Sequence, residues 1–258
     1  MILISDIGNT SITVGLFNND KKLKTWRLTT DSMRSSDEYG IVLSGLIRQF
    51  NPDIKIEGAI VSSVVTTLTD IYLSAIRKYL NVEPINFSYK IDAGVKIVTE
   101  NKSEVGADRI VNAVAAVNFY KTPAIVIDFG TATTFDIVNG KNEFIGGIIT
   151  PGMKIQAQSL SKCTSKLPLL DIEPAKSVIG KNTQEAILSG IVRGHACMIS
   201  GLLRECEKEL GEKPVIIATG GYAHLVADYM NTPFDYIDED LTLKGLNVIY
   251  NKITLLAQ

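Results

Sequence analysis

Short apolar stretches that end in Asp-x-Gly occur twice along the chain, in segments that resemble each other. These segments are 2–10 and 125–133, and in each an apolar strand leads through Asp-x-Gly into small hydroxyl or amide residues. Strand-like stretches follow at 12–17 and 134–138, so each segment predicts a β-hairpin whose tip carries the Asp-x-Gly. The chain is therefore predicted to consist of two related halves.

Hydrophobic periodicity predicts further elements on both sides of the second hairpin. The predicted strands are 58–65, 141–149 and 215–218, and the predicted helices are 68–80, 104–117, 183–210, 222–230 and 246–256. Asn182 and Glu185 have capping-box spacing at the start of the longest helix. The mixture of strands and helices predicts an α/β protein with one domain over residues 1–117 and a second over residues 118–258. Since no long linker separates them, a cleft between the two is expected.

Composition narrows the class of protein. Hydrophobic residues make up 45% of the chain and charged residues 21%, which is typical of a globular enzyme. The formal net charge of -2 supplies no excess of cations for a broad nucleic-acid-binding surface. The start of the chain does not resemble a signal peptide, and no apolar run approaches a membrane span, so a cytoplasmic location without membrane association is expected.

The two hairpin tips have the chemistry of phosphate-binding loops. Glycine lets a phosphate approach the main chain, and neighbouring hydroxyl or amide groups can donate hydrogen bonds to it. The carboxylates of Asp6 and Asp128 can hold a cation against phosphate oxygens. One Asp-x-Gly alone is more often a simple turn, but two equivalent copies after buried strands favour the functional interpretation.

Two other glycine-containing segments follow strands. Thr219-Gly220-Gly221 suits a nucleoside lying over bare backbone, or else forms a tight strand-to-helix turn. The segment 146–153 either lines a nucleotide site or shapes a bend.

Gly106-Ala107-Asp108-Arg109 lies near a predicted helix start, where an anion is favoured. Asp108 could accept a proton from a substrate hydroxyl, and Arg109 could pair with a carboxylate or phosphate. An exposed ion pair at a helix end is the alternative.

Several polar residues are predicted to have structural roles only. His195 and His224 lack a partner at ligand spacing. The three cysteines, Cys163, Cys197 and Cys206, lack zinc-site spacing and are expected to be reduced and buried. Lys21, Lys22 and Lys24 are expected at a solvated hairpin tip.

Taken in order along the chain, these motifs resemble those of type III pantothenate kinases. The resemblance rests on Asp6 to Thr10, Gly106 to Arg109, Asp128 to Thr133, the glycines of 146–152 and Gly220-Gly221. It implies two duplicated actin-like (ribonuclease H-like) domains, a homodimer, and ATP-dependent phosphorylation of pantothenate to 4′-phosphopantothenate in coenzyme A biosynthesis. It also implies Mg²⁺ with the nucleotide and a monovalent cation, K⁺ or NH₄⁺.

The resemblance implies roles for individual residues. Asp108 is similar to the proposed catalytic base, and Asp128 to the ligand of the monovalent cation. Asp6 is a candidate Mg²⁺ ligand. The implied ATP-binding residues are Asp6, Gly8, Asn9, Thr10, Gly130, Thr131, Thr133, Gly220 and Gly221. The implied pantothenate-binding residues are Gly106, Ala107, Arg109 and Thr183, of which Thr183 reaches the substrate of the partner subunit.

One departure from the family pattern concerns substrate binding, and Lys102 also replaces a common proline. Thr99 stands nine residues before Asp108, where the family has a tyrosine that contacts pantothenate. This departure keeps open a kinase of the same superfamily acting on another hydroxylated metabolite. A third hypothesis is a non-catalytic nucleotide-binding transcriptional accessory factor. The presence of Asp6, Asp108, Arg109 and Asp128 argues against it, because a regulator need not keep a whole catalytic set.

Overall fold

The computed structural model describes residues 1–256, which divide into two compact units. The first unit contains residues 1–95, 99–118 and 240–256, and the second contains residues 96–98 and 119–239. Each unit has its own β-sheet and its own packed helices.

Eleven strands form the two sheets of the described residues. In chain order they are β1 (Ile2–Ile7), β2 (Ser11–Asn18), β3 (Lys21–Thr29), β4 (Gly58–Ser63), β5 (Pro84–Asn86), β6 (Lys96–Ile97), β7 (Ala124–Phe129), β8 (Ala132–Val138), β9 (Glu143–Pro151), β10 (Val215–Thr219) and β11 (Tyr236–Ile237).

Eight α-helices accompany the strands in residues 1–256. They are α1 (Ser36–Phe50), α2 (Thr66–Leu80), α3 (Ala107–Phe119), α4 (Met153–Cys163), α5 (Thr183–Leu188), α6 (Gly194–Leu210), α7 (Ala223–Ala227) and α8 (Leu241–Leu256). A 3₁₀ turn at Lys102–Glu104 precedes α3, and a π-helical turn at Ser189–Arg193 joins α5 to α6.

The two sheets share one topology. The strand order is β3-β2-β1-β4-β5 in the first unit and β11-β10-β7-β8-β9-β6 in the second. In each, three antiparallel strands are followed by two parallel strands on the other side of the first strand. The second sheet adds β6 beside β9. This repetition confirms the predicted α/β fold with two related halves.

The core of the first unit forms where apolar faces of helices cover the sheet. Leu3, Ile7 and Val14 from the strands pack with Tyr39 of α1 and Tyr72 of α2. Helix α8 contacts β1, β2 and β4. Because apolar side chains from both faces of β1 are buried, this strand appears in the sequence as an almost continuous apolar run.

The core of the second unit is built around the corresponding hairpin. Ile125, Ile127 and Phe129 of β7 pack with apolar residues of α4, α5 and α6. These helices therefore lie against the sheet directly behind the loop that joins β7 to β8.

The compact units differ from the predicted domains in two segments. Helix α8 belongs with the first unit because it packs on β1, β2 and β4, although residues 240–256 were predicted to lie in the second domain. Lys96–Val98 belongs with the second unit because Lys96 and Ile97 pair with Glu143 and Phe144 of β9. Both assignments depend on contacts between residues distant in sequence.

The predicted long helix 183–210 is present as a helical run that contains a π turn. Asn182 caps its start by accepting a hydrogen bond from the N–H of Glu185 at 2.9 Å. The Glu185 carboxylate accepts instead from the N–H of Lys181, also at 2.9 Å, so the reciprocal bond of the predicted capping box is not made to Asn182.

Other boundaries also differ from the prediction. The predicted helix 104–117 is a 3₁₀ turn followed by α3, and the helix predicted over 222–230 ends at Ala227. The closing helix starts at Leu241 instead of Leu246. Helix α1 was not predicted, although Ser35 and Glu38 form a complete capping box at its start.

By length and composition, one helical run among residues 1–256, Thr183–Leu210, could cross a membrane. Within the protein, 44% of its most apolar stretch is buried. A core helix of a globular protein meets the same criteria.

Candidate active site

The first Asp-x-Gly forms a tight turn between β1 and β2. The N–H of Gly8 donates to the carbonyl of Ser11 at 3.0 Å, which closes the turn. Because this N–H is used inside the loop, a ligand would meet the exposed residues Asn9 and Thr10 instead. Asp6 is the penultimate residue of β1 and is partly buried.

Thr30 fixes this first loop, and the sequence analysis did not identify it. Its hydroxyl donates to the carbonyl of Gly8 at 2.6 Å, and its N–H donates to the carbonyl of Thr10 at 3.1 Å. Thr30 directly follows β3, which pairs with β2 up to Thr29. No local motif marks this residue, because its partners lie about twenty positions earlier in the sequence.

The second Asp-x-Gly forms a related but shorter turn between β7 and β8. The N–H of Gly130 donates to the carbonyl of Ala132, two residues on, at 3.1 Å, whereas Gly8 donates to the carbonyl of Ser11, three residues on. Gly130 and Thr131 are exposed, and Asp128 is partly buried at the end of β7. Each predicted phosphate loop is thus closed by a hydrogen bond from its own glycine, and the second loop is one residue shorter than the first.

Gly220 lies beside this second loop, because β10 pairs in parallel with β7 and both strands end at the same edge of the sheet. A Cβ atom at Gly220 would lie 2.6 Å from Asp128 Oδ1 and 2.6 Å from the N of Phe129, and its φ is +87°. Only glycine fits this position without displacement. The structure therefore brings together Asp128, Gly130, Thr131 and Gly220 within the second unit, and Gly221 follows as an exposed residue.

Gly152 supports the second loop from the other side. Its N–H donates to the carbonyl of Thr131 at 3.1 Å, and a Cβ atom there would lie 2.4 Å from that oxygen. The glycine at the end of 146–153 thus permits close packing against the loop. Gly146 has a φ of +137° and lies at the register shift between β8 and β9.

Thr133 is oriented differently from the other predicted ATP-binding residues. Only 1% of its surface is exposed, and its Oγ1 lies 3.0 Å from Nε2 of the buried His195. The Thr133 side chain is therefore directed into the core behind the loop.

The predicted catalytic carboxylate lies in the first turn of α3. Asp108 Oδ1 accepts a hydrogen bond from the N–H of Arg109 at 2.8 Å. A Cβ atom at Gly106 would lie 2.6 Å from Oδ1, so glycine leaves room for this carboxylate. Burial raises the pKa of Asp108 above its ordinary value, against the opposing effects of the Arg109 N–H and the Arg109 charge. A carboxylate held in this way is suited to accepting a proton.

The remaining predicted substrate residues lie in both units. Ala107 and Arg109 are partly buried in the first turn of α3, in the first unit. Thr183 is exposed as the first residue of α5, in the second unit. Thr99 is partly buried, and its Oγ1 has no hydrogen-bond partner in residues 1–256.

The polar residues predicted to be structural have varied surroundings. His224 is exposed, with Nε2 3.2 Å from Glu239. Of the cysteines, only Cys206 is buried. The expectation for Cys163 and Cys197 was wrong, because both lie on outward faces of their helices. Lys22 pairs with Asp240 within the first unit.

The two loop aspartates suit a cation that is bound partly by protein carboxylates and partly by the phosphates of a nucleotide. No group of three or more His, Cys, Asp or Glu side chains in residues 1–256 could hold a metal alone. Mg²⁺ at phosphate sites takes one or two carboxylates and completes its coordination with phosphate and water. Asp6 and Asp128, each beside a glycine loop, match that donor chemistry.

A family profile and individual relatives of known name identify the same protein family for this chain. A sequence profile of the type III pantothenate kinase family matches residues 2–205. A type III pantothenate kinase from Bacillus cytotoxicus is 39% identical over 257 residues, covering 99% of this chain and 98% of that protein. Another from an Exiguobacterium species is 40% identical over 253 residues, covering 98% and 99%.

Solved structures show the fold at lower identity. A ROK family glucokinase from Streptomyces griseus, in complex with glucose and AMPPNP, has a TM-score of 0.53 and 13% identity, covering 97% of this chain and 98% of that chain. The likeness shows an actin-like sugar-kinase fold, in agreement with the duplicated sheets.

Proposed function

This chain belongs to the type III pantothenate kinase family, and on that premise we propose that it transfers the γ-phosphoryl group of ATP to pantothenate, giving 4′-phosphopantothenate, the first step of coenzyme A biosynthesis. The observation that carries the proposal is the near-full-length similarity to curated members of that family. The local geometry of the two Asp-x-Gly loops and of Asp108 supports it.

The two loops bind the nucleotide in this proposal. The exposed residues Asn9 and Thr10 of the first loop and Thr131 of the second supply contacts to phosphate oxygens, and Gly130 lets the phosphate approach the main chain. Gly220 and Gly221 supply a bare backbone surface for the nucleoside. Mg²⁺, held with the help of Asp6, neutralises charge on the phosphates when it is bound.

Asp108 orients the attacking hydroxyl of pantothenate and accepts its proton. Phosphoryl transfer proceeds through a loose transition state, so positioning contributes more than early proton removal. The raised pKa of Asp108 brings its basicity closer to neutral pH than that of an exposed aspartate. Gly106, Ala107 and Arg109 form the adjoining pantothenate site.

Asp128 is the proposed ligand of a monovalent cation, K⁺ or NH₄⁺. Its carboxylate lies beside the backbone of Gly220 and Phe129, at the edge of the sheet where β7 and β10 end. Carboxylate and backbone oxygens suit a hard monovalent cation, and such a cation would reduce repulsion between Asp128 and bound phosphate.

A homodimer is the proposed assembly. Small residues Ala186, Gly190, Gly194 and Cys197 are exposed at helical spacing along the run of α5 and α6, and Cβ atoms at Gly190 and Gly194 would meet no atom within 4 Å. Such a surface allows a second helix to approach closely. Thr183, exposed at the start of the same run, is then placed to contact the pantothenate of the partner subunit, and the dimer works in the cytoplasm.

A coupled assay of ADP formation tests the proposal. We expect turnover that requires both ATP and pantothenate and increases when K⁺ replaces Na⁺. A panel of other hydroxylated acids and sugars serves as the acceptor control. Turnover with another acceptor and none with pantothenate would show a different kinase, with Thr99 as the first residue to examine. Nucleotide binding without transfer to any acceptor would indicate a regulator.

A further inference from the structure

A chain of polar side chains, of which Thr133 and His195 are buried and Gln156 is partly buried, lies behind the second loop and connects β8, α4 and α6. Thr133 Oγ1 lies 3.0 Å from His195 Nε2, and His195 Nδ1 lies 3.0 Å from Gln156 Nε2. The same Gln156 nitrogen lies 2.9 Å from the carbonyl oxygen of Pro151. Thr133 and His195 are 1% and 2% exposed. The chain thus begins on β8, crosses two helices and ends on β9.

The carbonyl of Pro151 determines the direction of these hydrogen bonds. A carbonyl oxygen only accepts, so the group facing it must be the amino group of Gln156. That amino group directs its second hydrogen to His195 Nδ1, which must therefore accept. In a neutral imidazole the other nitrogen then carries the hydrogen. His195 Nε2 donates that hydrogen to Thr133 Oγ1.

The surroundings keep this imidazole neutral. Burial lowers the pKa of His195 to about 4. A proton on Nδ1 would also face the Gln156 amino group and remove the bond between them. The tautomer assigned from the hydrogen bonds is therefore the form present near neutral pH.

Both ends of the polar chain lie where the second loop leaves the sheet. Thr133 is the register partner of Phe129, so the pair closes the hairpin just before Gly130 and Thr131 project from it. Pro151 is the register partner of Ala132, the residue that follows those two. The hydrogen bonds of His195 and Gln156 therefore hold the strands on which the loop is mounted.

A histidine that only filled the core would not need this arrangement. Phe129 packs near the ring, with centroids 6.2 Å apart, and an aromatic hydrocarbon would satisfy that contact. Burying an imidazole requires both ring nitrogens to find partners, and here these are Thr133 of β8 and Gln156, whose amino group also bonds to Pro151 of β9.

We propose that His195 is a positioning residue for the second phosphate loop: by joining Thr133 to Gln156 it holds Gly130 and Thr131 in the conformation that binds the phosphates of the nucleotide. The inference rests on the proposed role of that loop in nucleotide binding. His195 acts through Thr133 and does not touch the reacting atoms.

Paired variants distinguish the effect of the hydrogen bonds from the effect of side-chain shape in the core. His195→Phe keeps a ring and removes both hydrogen bonds, whereas His195→Gln keeps an N–H donor that can reach Thr133. Thr133→Val removes the hydroxyl at nearly constant volume, and Thr133→Ser keeps it. Ser200→Ala is the matched control, because it removes a side-chain hydrogen bond from the same helix, α6, away from the loop.

The primary measurement is the affinity of the full-length protein for AMPPNP with Mg²⁺, by isothermal titration calorimetry, with the melting temperature recorded alongside. We expect His195→Phe and Thr133→Val each to weaken binding by about tenfold, as loss of one hydrogen bond of the network implies. His195→Gln and Thr133→Ser should recover most of that loss. The double variant should be little worse than either single one, because both break the same chain.

Steady-state kinetics adds a second readout. The KM for ATP should increase while the KM for pantothenate stays close to the wild-type value. A purely structural role predicts a lower melting temperature with unchanged AMPPNP affinity in the folded fraction. That result in His195→Phe, or in Thr133→Val if the first variant does not fold, overturns the inference.

Failure of the proposed function is distinguishable from failure of this inference. Wild-type protein that binds AMPPNP but does not phosphorylate pantothenate contradicts the proposed function alone, and the variant affinities still decide the role of His195. Wild-type protein that does not bind AMPPNP overturns both.

Discussion

The carboxylate of Asp108 lies at the start of α3, where two effects on its pKa oppose each other. The neighbouring N–H groups and the Arg109 charge favour the ionised form, but burial outweighs them and raises the pKa. In the folded protein the ionised form is therefore less favourable than in the unfolded chain. The folded protein therefore favours the protonated carboxyl. This preference contributes to stability at pH below the unfolded pKa, and the contribution is lost as the pH rises through the raised folded pKa.

Asp108→Asn tests both consequences at this residue. We expect kcat to fall by about a hundredfold or more, because a positioned base is lost, while AMPPNP affinity stays nearly unchanged. At neutral pH the melting temperature should increase, since an ionised group no longer has to be buried. In the wild type, kcat/KM should fall on acidification at a pH above the ordinary titration range of aspartate. Turnover near the wild-type rate would exclude Asp108 as the base.

Gly220 shows how a single missing Cβ atom shapes the site. Gly220→Ala places a methyl group against Asp128 and Phe129 in a backbone conformation with φ of +87°. Gly211→Ala is the control, because Gly211 has φ of +72° but no atom within 4 Å of the added Cβ.

Gly211→Ala should lower the free energy of unfolding only by the cost of the left-handed backbone, about 1–2 kcal/mol. Gly220→Ala should lower the free energy of unfolding by about a further 1 kcal/mol or more, because the added methyl group overpacks the site. It should also bind AMPPNP more weakly, unlike Gly211→Ala. Urea unfolding measures the stability and calorimetry the AMPPNP affinity. Equal losses of stability in Gly220→Ala and Gly211→Ala would mean that the packing around Asp128 relaxes freely.

At the scale of elements, the helical run of α5, the π turn and α6 has two faces. Ile187, Ile191 and Ile199 are buried in the core of the second unit, whereas Gly190 and Gly194 are exposed. A monomer gains nothing from glycine at exposed helical positions, where it costs about 1 kcal/mol relative to alanine. In the proposed homodimer, close approach of a helix from the partner subunit would account for glycine at these positions.

Gly194→Glu tests that explanation. The substitution should not harm the monomer fold, because no atom lies within 4 Å of the added Cβ and glutamate favours helix. Light scattering after size exclusion should show a shift from dimer to monomer, with loss of turnover if the partner's Thr183 contributes to the pantothenate site. Arg204→Glu, also exposed on α6, is the charge control. An unchanged dimer would place the interface elsewhere.

At the scale of the whole molecule, the same five-strand pattern occurs twice, and in each copy an Asp-x-Gly lies at the end of the first strand. In each copy the glycine N–H closes the turn, by bonding to a carbonyl three residues on in the first copy and two residues on in the second. The roles proposed for the two aspartates nevertheless differ, since Asp6 serves Mg²⁺ and Asp128 a monovalent cation.

Asp6→Asn and Asp128→Asn are therefore controls for each other. Asp6→Asn should increase the Mg²⁺ concentration needed for half-maximal turnover and leave the response to K⁺ intact. Asp128→Asn should abolish the increase in turnover caused by K⁺ and leave the Mg²⁺ dependence nearly unchanged. Full stimulation by K⁺ in Asp128→Asn would contradict the assignment of Asp128.

Much of the fold and several site residues could be predicted from local patterns. Both hairpins, the strand β10 with its following glycine, and the helix α3 that carries Asp108 all have periodicity or turn residues that act over a few positions. Helix α1 was missed even though its capping box, Ser35 with Glu38, is present in the sequence. The roles of Thr30, Gln156 and His195 could not be predicted, because their partners are distant in sequence.

The order of residues along the chain shows where glycine, aspartate and hydroxyl residues follow apolar strands, and hence the duplicated pattern and the family resemblance. Three features required the three-dimensional fold: α8 packs with the first unit, Thr133 faces the core instead of solvent, and His195 bonds to Thr133. The two groups differ in the sequence distance over which the deciding interactions act. Backbone turns and amphipathic faces depend on neighbouring residues, whereas the direction of a buried polar side chain depends on which distant group completes its hydrogen bonds.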